Sequence, residues 1–294
     1  SEISDILSVA DFEAQFPNNS VLLEKMKDEG YIKSEQTCEK CGTEMIWRKR
    51  GDGYEWRCRL SATQDCSSKS FKTDSWFQNS KVPAKKVFQM FIMFSNKAMN
   101  CQVERELKVS GKTVTDFRSF YRELCGRIVK SYPKIGGNSA RIQVDETAFH
   151  QRKYGKGTVR KELEWMLGGI SEDDKKCFAV FVADRTGKTL MRELKKYIQA
   201  DSIIITDAWK CYSKVKDSFE EHVVVNHSET FVDADGNHTN SVEALWSRFK
   251  KQLKSMNGVK DGGLEPYMFE QIARQNEGMM FHTRVITELK SFVR

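Results

Sequence analysis

Three carboxylates on a series of strand-like and helix-like segments constrain the fold of this 294-residue chain most strongly. Asp145 lies inside a strand-like segment, and Asp207 ends the apolar run that begins at Ile203. Glu243 lies in a later segment with helical periodicity. Oxygen ligands of this kind suit hard divalent cations, and two such cations can clamp both ends of an in-line phosphoryl displacement. The acids therefore predict a metal-dependent site for polynucleotidyl transfer.

The composition permits a nucleic-acid partner. The chain is 39% hydrophobic and 30% charged, and its formal net charge is +7. A mildly basic balance allows binding to nucleic acid without requiring it. No apolar run approaches the ~18 residues of a membrane-spanning helix, so we expect no membrane partner. No secretory signal pattern opens the sequence, so we expect the eight cysteines to serve as metal ligands or free thiols rather than in disulfides.

The segment that carries the acids, residues 132–261, has the pattern of an α/β domain. We predict strands at about 141–149, 163–170, 176–183, 202–206 and 221–226, and helices at about 187–200, 208–217 and 240–254. Three strands followed by alternating helices and strands predict a mixed sheet covered by helices. This order fits an RNase H-like catalytic domain. Residues 262–294 add one or two C-terminal helices, and the sequence leaves their role open.

Residues 38–80 have the pattern of a zinc ribbon. A Cys-x-x-Cys pair is followed by Gly51-Asp-Gly53, a strong hairpin signal, and then by two further cysteines. The four predicted zinc ligands are Cys38, Cys41, Cys58 and Cys66. Four thiolates hold zinc tetrahedrally, and the metal replaces the hydrophobic core that so short a module lacks. Because the last two cysteines are widely spaced, four unrelated buried thiols are the alternative.

Residues 81–131 predict three helices, and residues 1–37 before the ribbon form an acidic arm with a short amphipathic helix. A helix at about 100–108, a short turn and a helix that opens at Ser110 form a helix-turn-helix pattern, whose second helix would enter the major groove. An ordinary helical bundle with a solvated charged face fits the same residues, and the basic ribbon before them favours DNA. The acidic arm repels phosphate, so we expect a role in packing or oligomerisation.

Basic and polar side chains from four segments are candidates for contact with DNA. In the ribbon they are Arg48, Lys49 and Arg50, and in the third helix of the helical segment they are Lys112, Thr115, Arg118 and Arg122. A hairpin-like basic stretch adds Arg152, Lys153, Lys156 and Arg160, and the last helix of the α/β domain adds Lys250 and Lys254. On that last helix the two lysines continue the row that Glu243 begins, so a metal-binding carboxylate would lead into a phosphate-binding face. A solvated lysine face is the alternative.

Each acid also has a structural interpretation when it is considered alone. Asp145 can be a polar residue on one face of a strand, although acids are disfavoured in strands. Asp207 lies where a helix N-cap is common, and Glu243 is spaced from Asn240 as in a capping box. Together, on these elements and in this order, the three acids favour a catalytic site. His238 is a weaker catalytic candidate, because a lone histidine can equally be a capping or core residue.

Three blocks around the acids form a signature. They are Asp-Glu-Thr at 145–147, Thr-Asp at 206–207 followed by Tyr212, and His-Thr-Asn-Ser-Val-Glu at 238–243. These blocks resemble the DDE signature of the Merlin superfamily of transposases and its bacterial insertion-sequence relatives. The segment from Phe12 to Pro17, followed by Cys-x-x-Cys-Gly at 38–42, looks like the zinc-ribbon start of that family. The resemblance covers most of residues 10–260.

This resemblance implies a cut-and-paste DNA transposase that binds terminal inverted repeats and target DNA as a homodimer or larger synaptic assembly. It implies that Asp145, Asp207 and Glu243 bind two Mg²⁺ or Mn²⁺ ions, that the ribbon binds one structural Zn²⁺, and that His238 and Asn240 are signature residues. Such an element acts in the nucleus of a eukaryote, or in the cytoplasm or nucleoid of a bacterium. Two alternatives stay open. One is a domesticated transposase that binds DNA without catalysis, and the other is a metal-dependent nuclease of the same fold.

Overall fold

The computed structural model describes residues 1–61, 64–149, 164–207, 210–225, 239–255 and 263–294. The chain forms two compact units. The first comprises Ser1–Ile128 together with Met279–Arg294, and the second comprises Val129–Gly278. No helix within the described ranges is both long enough and apolar enough to cross a membrane.

The bounds of the regular elements are as follows. The helices are α1 (Val9–Gln15), α2 (Asn19–Asp28), α3 (Ala84–Ser95), α4 (Asn100–Leu107), α5 (Gly111–Lys130), α6 (Gly187–Tyr197), α7 (Asn240–Ser255), α8 (Leu264–Glu277) and α9 (Phe281–Glu288). The strands are β1 (Ile46–Arg50), β2 (Gly53–Arg59), β3 (Asp65–Ser70), β4 (Arg141–Phe149), β5 (Glu164–Ser171), β6 (Cys177–Val182), β7 (Ile203–Asp207) and β8 (Glu221–Val225).

In the first unit, β1, β2 and β3 form an antiparallel sheet. The turn between β1 and β2 falls on the predicted Gly-Asp-Gly signal, and Gly51 has a φ of +59°, which a residue without a Cβ adopts at no steric cost. On one side of the sheet, the Trp47 ring stacks on Tyr54 with 4.8 Å between centroids, and its Nε1 donates to Glu24 Oε1 of α2 at 3.3 Å. The ribbon is therefore held by α2 as well as by its own residues.

The acidic arm is part of the hydrophobic core of the first unit. α2 buries Leu22, Leu23 and Met26, whose spacing predicts its amphipathic character. The ring of Phe12 in α1 lies 5.9 Å from that of Phe88 in α3, measured between centroids. α9 also packs on α3. The two ends of the chain thus complete one helical core.

α3, α4 and α5 are the three helices predicted in residues 81–131. α4 ends at Lys108, which adopts the left-handed conformation with a φ of +52°. Arg118 of α5 donates from Nε to Asn100 Oδ1 at 2.7 Å and from Nη2 to the Ala98 carbonyl at 2.6 Å. A helix, a turn and a second helix are therefore present in the predicted order, and their function as a DNA-binding motif stays a prediction.

The second unit is built on a five-stranded mixed sheet with the order β6-β5-β4-β7-β8. β5 pairs antiparallel with β4 and β6, whereas β7 runs parallel to both β4 and β8. Parallel strands need a long connection, and α6 lies in the connection that leads to β7. The prediction of a mixed sheet with helices is confirmed.

Helices cover both faces of this sheet. On one face α6 packs over a core that includes Ile142, Val144 and Leu167. On the other face α7 and α8 pack over a core that includes Phe149 and Met166. Because successive residues of a strand point to opposite faces, the odd-numbered residues of β4 face α7 and the even-numbered residues face α6.

The helix predicted at about 208–217 is wrong over the residues that the structure describes. In its place lie two short 3-10 helices, Lys210–Tyr212 and Val215–Asp217. Tyr212, in the first of these, and Val215, in the second, are buried in the core beneath α6. Two short 3-10 turns, rather than one continuous α-helix, place both side chains in the core.

Candidate active site

The pairing of β4 with β7 brings two of the predicted acids together. The last register pair between these parallel strands is Gln143 with Ile205. Asp145 and Asp207 each lie two residues further along their own strand. Residues two apart on a strand share a face, so both carboxylates point to the α7 side of the sheet.

Gln143 fixes the start of α7 on this face. Its side-chain Oε1 accepts hydrogen bonds from the backbone N–H groups of Ser241 at 2.8 Å and Val242 at 3.3 Å. These N–H groups belong to the first turn of α7, where no helical partner exists for them. The fully buried Gln143 therefore docks the N-terminus of α7 beside Asp145, a role that the sequence analysis missed.

Trp246 of α7 contacts Asp145 directly. Its indole Nε1 donates to Asp145 Oδ2 at 3.1 Å. Gly168 of β5 lies opposite Asp145 in the sheet, and a Cβ placed there would lie 2.5 Å from Trp246 Cη2. Only a residue without a side chain leaves room for the indole. The sequence analysis assigned Trp246 to the apolar stripe of this helix; the residue is indeed buried, and it also orients the first acid.

Glu243 lies one turn before Trp246 on α7 and is exposed. The Thr239 hydroxyl donates to Glu243 Oε1 at 3.1 Å. The capping-box alternative placed Asn240 at the N-cap, but Asn240 is the first residue of α7. The hydrogen-bond partner of Glu243 is Thr239, the residue before the helix. One oxygen of Glu243 is thereby oriented at the same end of the helix that Gln143 docks.

The three acids form one electrostatic site. The pKa of Asp145 is raised to about 6, mainly by burial and also by the negative charges of Asp207 and Glu243, while hydrogen bonds from the Glu146 backbone and Trp246 act in the opposite direction. A bound cation would offset the repulsion that the charges of Asp207 and Glu243 exert on the Asp145 carboxylate. The residues therefore fit a divalent metal in charge and in ligand type, although within the described ranges these acids are not gathered as tightly as the four cysteines are.

The four predicted cysteine ligands come together in the ribbon. Their Sγ atoms all lie within 4.8 Å of one another. The Cys38 and Cys66 sulfurs are 3.7 Å apart, and those of Cys41 and Cys58 are 3.4 Å apart. Thiolates at ~2.3 Å from a tetrahedral zinc lie ~3.8 Å from each other. The cluster is compatible with zinc, and Cys66 takes the fourth position in spite of its wide spacing from Cys58.

The predicted DNA-contact residues differ in the solvent exposure of their side chains. In the ribbon Arg48, Lys49 and Arg50 are exposed, and so are Lys112 and Thr115 near the start of α5. Arg118 is half-buried and hydrogen-bonded to Asn100 and the Ala98 carbonyl, and Arg122 is only 7% exposed. Contact with DNA stays a prediction for all of these residues, and it is best supported for the exposed ones.

On α7 the predicted row of Glu243, Lys250 and Lys254 is exposed along its whole length. The apolar stripe of the same helix is buried against the sheet, with Val242, Leu245, Trp246 and Phe249 in the core. The remaining candidates, Arg152, Lys153, Lys156, Arg160 and His238, lie outside the described residues.

Residues 135–271, somewhat less than half of the chain, match the family model described as the ISXO2-like transposase domain. All three acids lie in this range. An uncharacterized transposase-like protein of Haemophilus influenzae is 28% identical over 95 residues, which are 32% of this chain and 76% of the relative. Together these similarities support an insertion-sequence transposase family and a transposase-like function.

Solved structures of the HTLV-2 integrase catalytic core domain in complex with magnesium are similar in part. The dimeric form is 10% identical, with a TM-score of 0.31, over 48% of this chain and 88% of that chain. The trimeric form is 10% identical, with a TM-score of 0.30, over 48% of this chain and 86% of that chain.

Proposed function

We propose that the chain is a cut-and-paste DNA transposase of the Merlin type, which binds terminal inverted repeats and transfers their ends to target DNA in a dimer or larger assembly. One observation carries the proposal: Asp145 and Asp207 lie on the sheet face that α7 covers, and the charges of Asp207 and of Glu243 on α7 act on Asp145, inside the range that matches a transposase domain. Oriented carboxylates of this kind are the parts of a polynucleotidyl-transfer centre.

Asp145, Asp207 and Glu243 are the residues that would hold two Mg²⁺ or Mn²⁺ ions. Cations held in this way activate an attacking oxygen and stabilise the leaving oxygen of an in-line displacement. The attacking oxygen comes first from water, which cuts a DNA strand, and then from the freed 3′-hydroxyl, which joins target DNA. No side chain of the protein becomes covalently attached to DNA in this scheme.

The contribution of the chain itself is to hold the carboxylates in place. Trp246 and Thr239 each fix one carboxylate oxygen, on Asp145 and Glu243 respectively. Gln143 joins the strand of the first acid to the helix of the third. Ligands that are oriented by such outer hydrogen bonds lose metal affinity when these bonds are removed.

The exposed basic residues would deliver DNA to this site. Lys250 and Lys254 follow Glu243 along α7, where they could track a phosphate backbone. The ribbon, with Arg48 and Lys49 exposed, and the start of α5, with Lys112 exposed, would bind the transposon end. Phosphate contacts would set the register, and a few base contacts would set the sequence preference.

A cleavage and joining assay tests the proposal. Purified protein is incubated with Mg²⁺ or Mn²⁺, a labelled duplex carrying candidate terminal inverted repeats, and a target plasmid. We expect cut ends that join the plasmid, and we expect Asp207→Ala to abolish both products. Asp217→Ala changes an exposed aspartate in the turn after β7 and serves as the matched control, with wild-type activity expected. Cleavage without joining would indicate a nuclease, and binding without cleavage in either metal would indicate a non-catalytic DNA-binding protein.

Two neighbouring glycines of β5 provide a further prediction. A Cβ on Gly168 would lie 2.5 Å from the Trp246 ring, and a Cβ on Gly169 would lie 2.6 Å from the Phe178 ring on the opposite face. Either alanine substitution should therefore destabilise the protein by about 1–3 kcal/mol through overpacking. At a temperature where both variants are folded, Gly168→Ala should lose strand cleavage and Gly169→Ala should retain it. Equal activities of the two variants would show that the Trp246 contact does not serve the site.

A further inference from the structure

A second buried carboxylate lies next to Asp145, on the opposite face of the sheet. Alternation along β4 directs Glu146 toward α6, and its side chain is only 4% exposed. Its Oε1 accepts a hydrogen bond from the buried Tyr212 hydroxyl, and its Oε2 accepts one from Arg185 Nη2 at 3.2 Å. We call Glu146, Tyr212 and Arg185 the Glu146 cluster.

The cluster joins three separate segments of the second unit. Glu146 belongs to β4, directly after the first acid. Tyr212 lies in the turn that follows β7, five residues after Asp207. Arg185 lies in the connection from β6 to α6, where its guanidinium stacks 3.9 Å from the centroid of the Trp165 ring of β5. On the α6 face of the sheet, the cluster thus links β4, which carries Asp145, to the segment that follows Asp207 and to the connection before α6.

The connection before α6 and the turn after β7 also approach each other closely. A Cβ on Gly187, the first residue of α6, would lie 2.9 Å from the Cys211 carbonyl oxygen. On the far side of β7, the Thr206 hydroxyl contacts His222 Nε2 of β8 at 2.9 Å and donates to the Asp207 carbonyl at 2.9 Å. The end of β7 is therefore fixed toward β8 by Thr206 and toward β4 by Tyr212.

A gain in folding stability does not by itself explain the presence of the Glu146 cluster. A buried ion pair rarely repays the cost of removing its charges from water, and well-packed apolar residues of similar volume often serve stability equally well. A buried network of polar groups does, however, fix one geometry among its members. Here the fixed geometry is the relation between the strand of Asp145 and the chain that leaves Asp207.

We propose that the Glu146 cluster is a positioning device, which holds the end of β7 so that Asp207 stays beside Asp145 in the arrangement that binds the divalent cations. Glu146 and Tyr212 act through the two acids and do not contact metal or DNA. The proposal rests on the proposed function, because it assigns the cluster a role in the same metal site.

The test is Mn²⁺ binding, measured by isothermal titration calorimetry on the purified full chain without DNA. Tyr212→Phe removes one hydroxyl and keeps the buried ring, so the melting temperature should stay close to that of the wild type. We expect Mn²⁺ affinity to fall by about tenfold, as is usual when an outer hydrogen bond of a metal site is lost. Tyr197→Phe is the matched control, because it removes a hydroxyl from an α6 tyrosine that stacks on Phe178, and it should bind Mn²⁺ like the wild type.

Variants of Glu146 separate positioning from simple packing. Glu146→Gln keeps an oxygen that can accept the hydrogen bond from the Tyr212 hydroxyl, so it should bind Mn²⁺ more tightly than Glu146→Ala. The double variant Glu146→Ala/Tyr212→Phe should be no worse than Glu146→Ala, because both changes break the same contact. If Glu146→Ala does not fold, the comparison of Tyr212→Phe with Tyr197→Phe still decides the question.

The possible failures are distinct. If the wild type binds Mn²⁺ and cleaves DNA while Tyr212→Phe and Glu146→Gln match it in affinity, the positioning role is overturned and the proposed function stands. A lower melting temperature with unchanged affinity has the same meaning, since it shows a structural role only. If the wild type itself binds no Mn²⁺, the metal site of the proposed function is wrong and the positioning role is overturned with it.

Discussion

Asp145→Asn should abolish metal-dependent strand cleavage and leave DNA binding unchanged. The substitution keeps the size of the side chain and removes the charge that two cations would share. Several kcal/mol of transition-state stabilisation depend on such cations, and each ~1.4 kcal/mol is a factor of ten, so we expect a loss of at least about a thousandfold. A gel shift on the terminal-repeat duplex and a cleavage time course on the same duplex measure the two properties separately.

The same substitution should stabilise the metal-free protein above about pH 6. The pKa of Asp145 is raised from 3.8 to about 6, first by burial and then by the neighbouring acids. The folded state therefore holds the proton more tightly than the unfolded state, and the wild type loses stability as the pH rises from about 4 to 6. This difference corresponds to up to about 3 kcal/mol. The melting temperature of Asp145→Asn minus that of the wild type should increase over this range.

Glu265→Gln is the matched control for both measurements, because it neutralises an exposed acid in the first turn of α8. It should cleave like the wild type, and its melting temperature should show no comparable dependence on pH. Wild-type cleavage by Asp145→Asn would remove this residue from the mechanism. A constant melting-temperature difference between pH 4 and 7 would show that the pKa of Asp145 is not raised by burial and the neighbouring carboxylates.

Cys58→Ser should release zinc and unfold the ribbon. Cys58 is buried in a small cluster with Cys38, Met45 and Trp56, which offers little apolar surface of its own. In modules of this size, zinc binding supplies ~10–16 kcal/mol of folding free energy. Loss of one of the four thiolate ligands should weaken zinc binding enough to unfold the module. The ribbon should then expose Trp56, which is buried in that cluster, and Trp47, whose ring contacts Trp56 and whose Nε1 donates to Glu24 of α2.

Zinc content by elemental analysis and tryptophan fluorescence report these two changes. Treating the wild type with a strong chelator should give the same red shift of fluorescence as Cys58→Ser. Cys101→Ser, which changes an exposed thiol on α4, should keep one zinc per chain and the wild-type spectrum. Full zinc occupancy in Cys58→Ser would show that the four thiols do not form the metal site.

The sequence predicts correctly those structural features that follow from the local residue pattern, such as the two-residue alternation of a strand. Alternation along β4 predicts that Asp145 lies on the face opposite Ile142 and Val144, and the two cores of the sheet confirm it. The glycine-rich turn predicts the ribbon hairpin, and the pattern of strands predicts the mixed sheet. These features are set by neighbours that are close in the chain, so a single sequence contains them.

What the sequence could not supply depends on contacts between distant segments. The partnership of Trp246 with Asp145 spans 101 positions, and that of Tyr212 with Glu146 spans 66. Trp246 fits an apolar helical stripe in any interpretation of the sequence, and only the packing of α7 on Gly168 reveals its second role. The helix-turn-helix pattern makes Arg118 a candidate for DNA contact, and it could not show that this half-buried side chain is hydrogen-bonded to Asn100 and to the Ala98 carbonyl.

The division of the chain has a consequence for how the protein is made. The second unit, Val129–Gly278, is an insertion in the first, whose helical core is completed by Met279–Arg294. On the ribosome, every residue of the sheet with its acids is synthesised before the last helix of the ribbon-bearing unit exists. A nascent chain can therefore fold the candidate catalytic unit first. Until α9 is synthesised, the apolar surface of α3 on which α9 packs stays uncovered. A stop codon or frameshift directly after the codon of Gly278 would leave the acids intact and damage the unit that we expect to bind the transposon end.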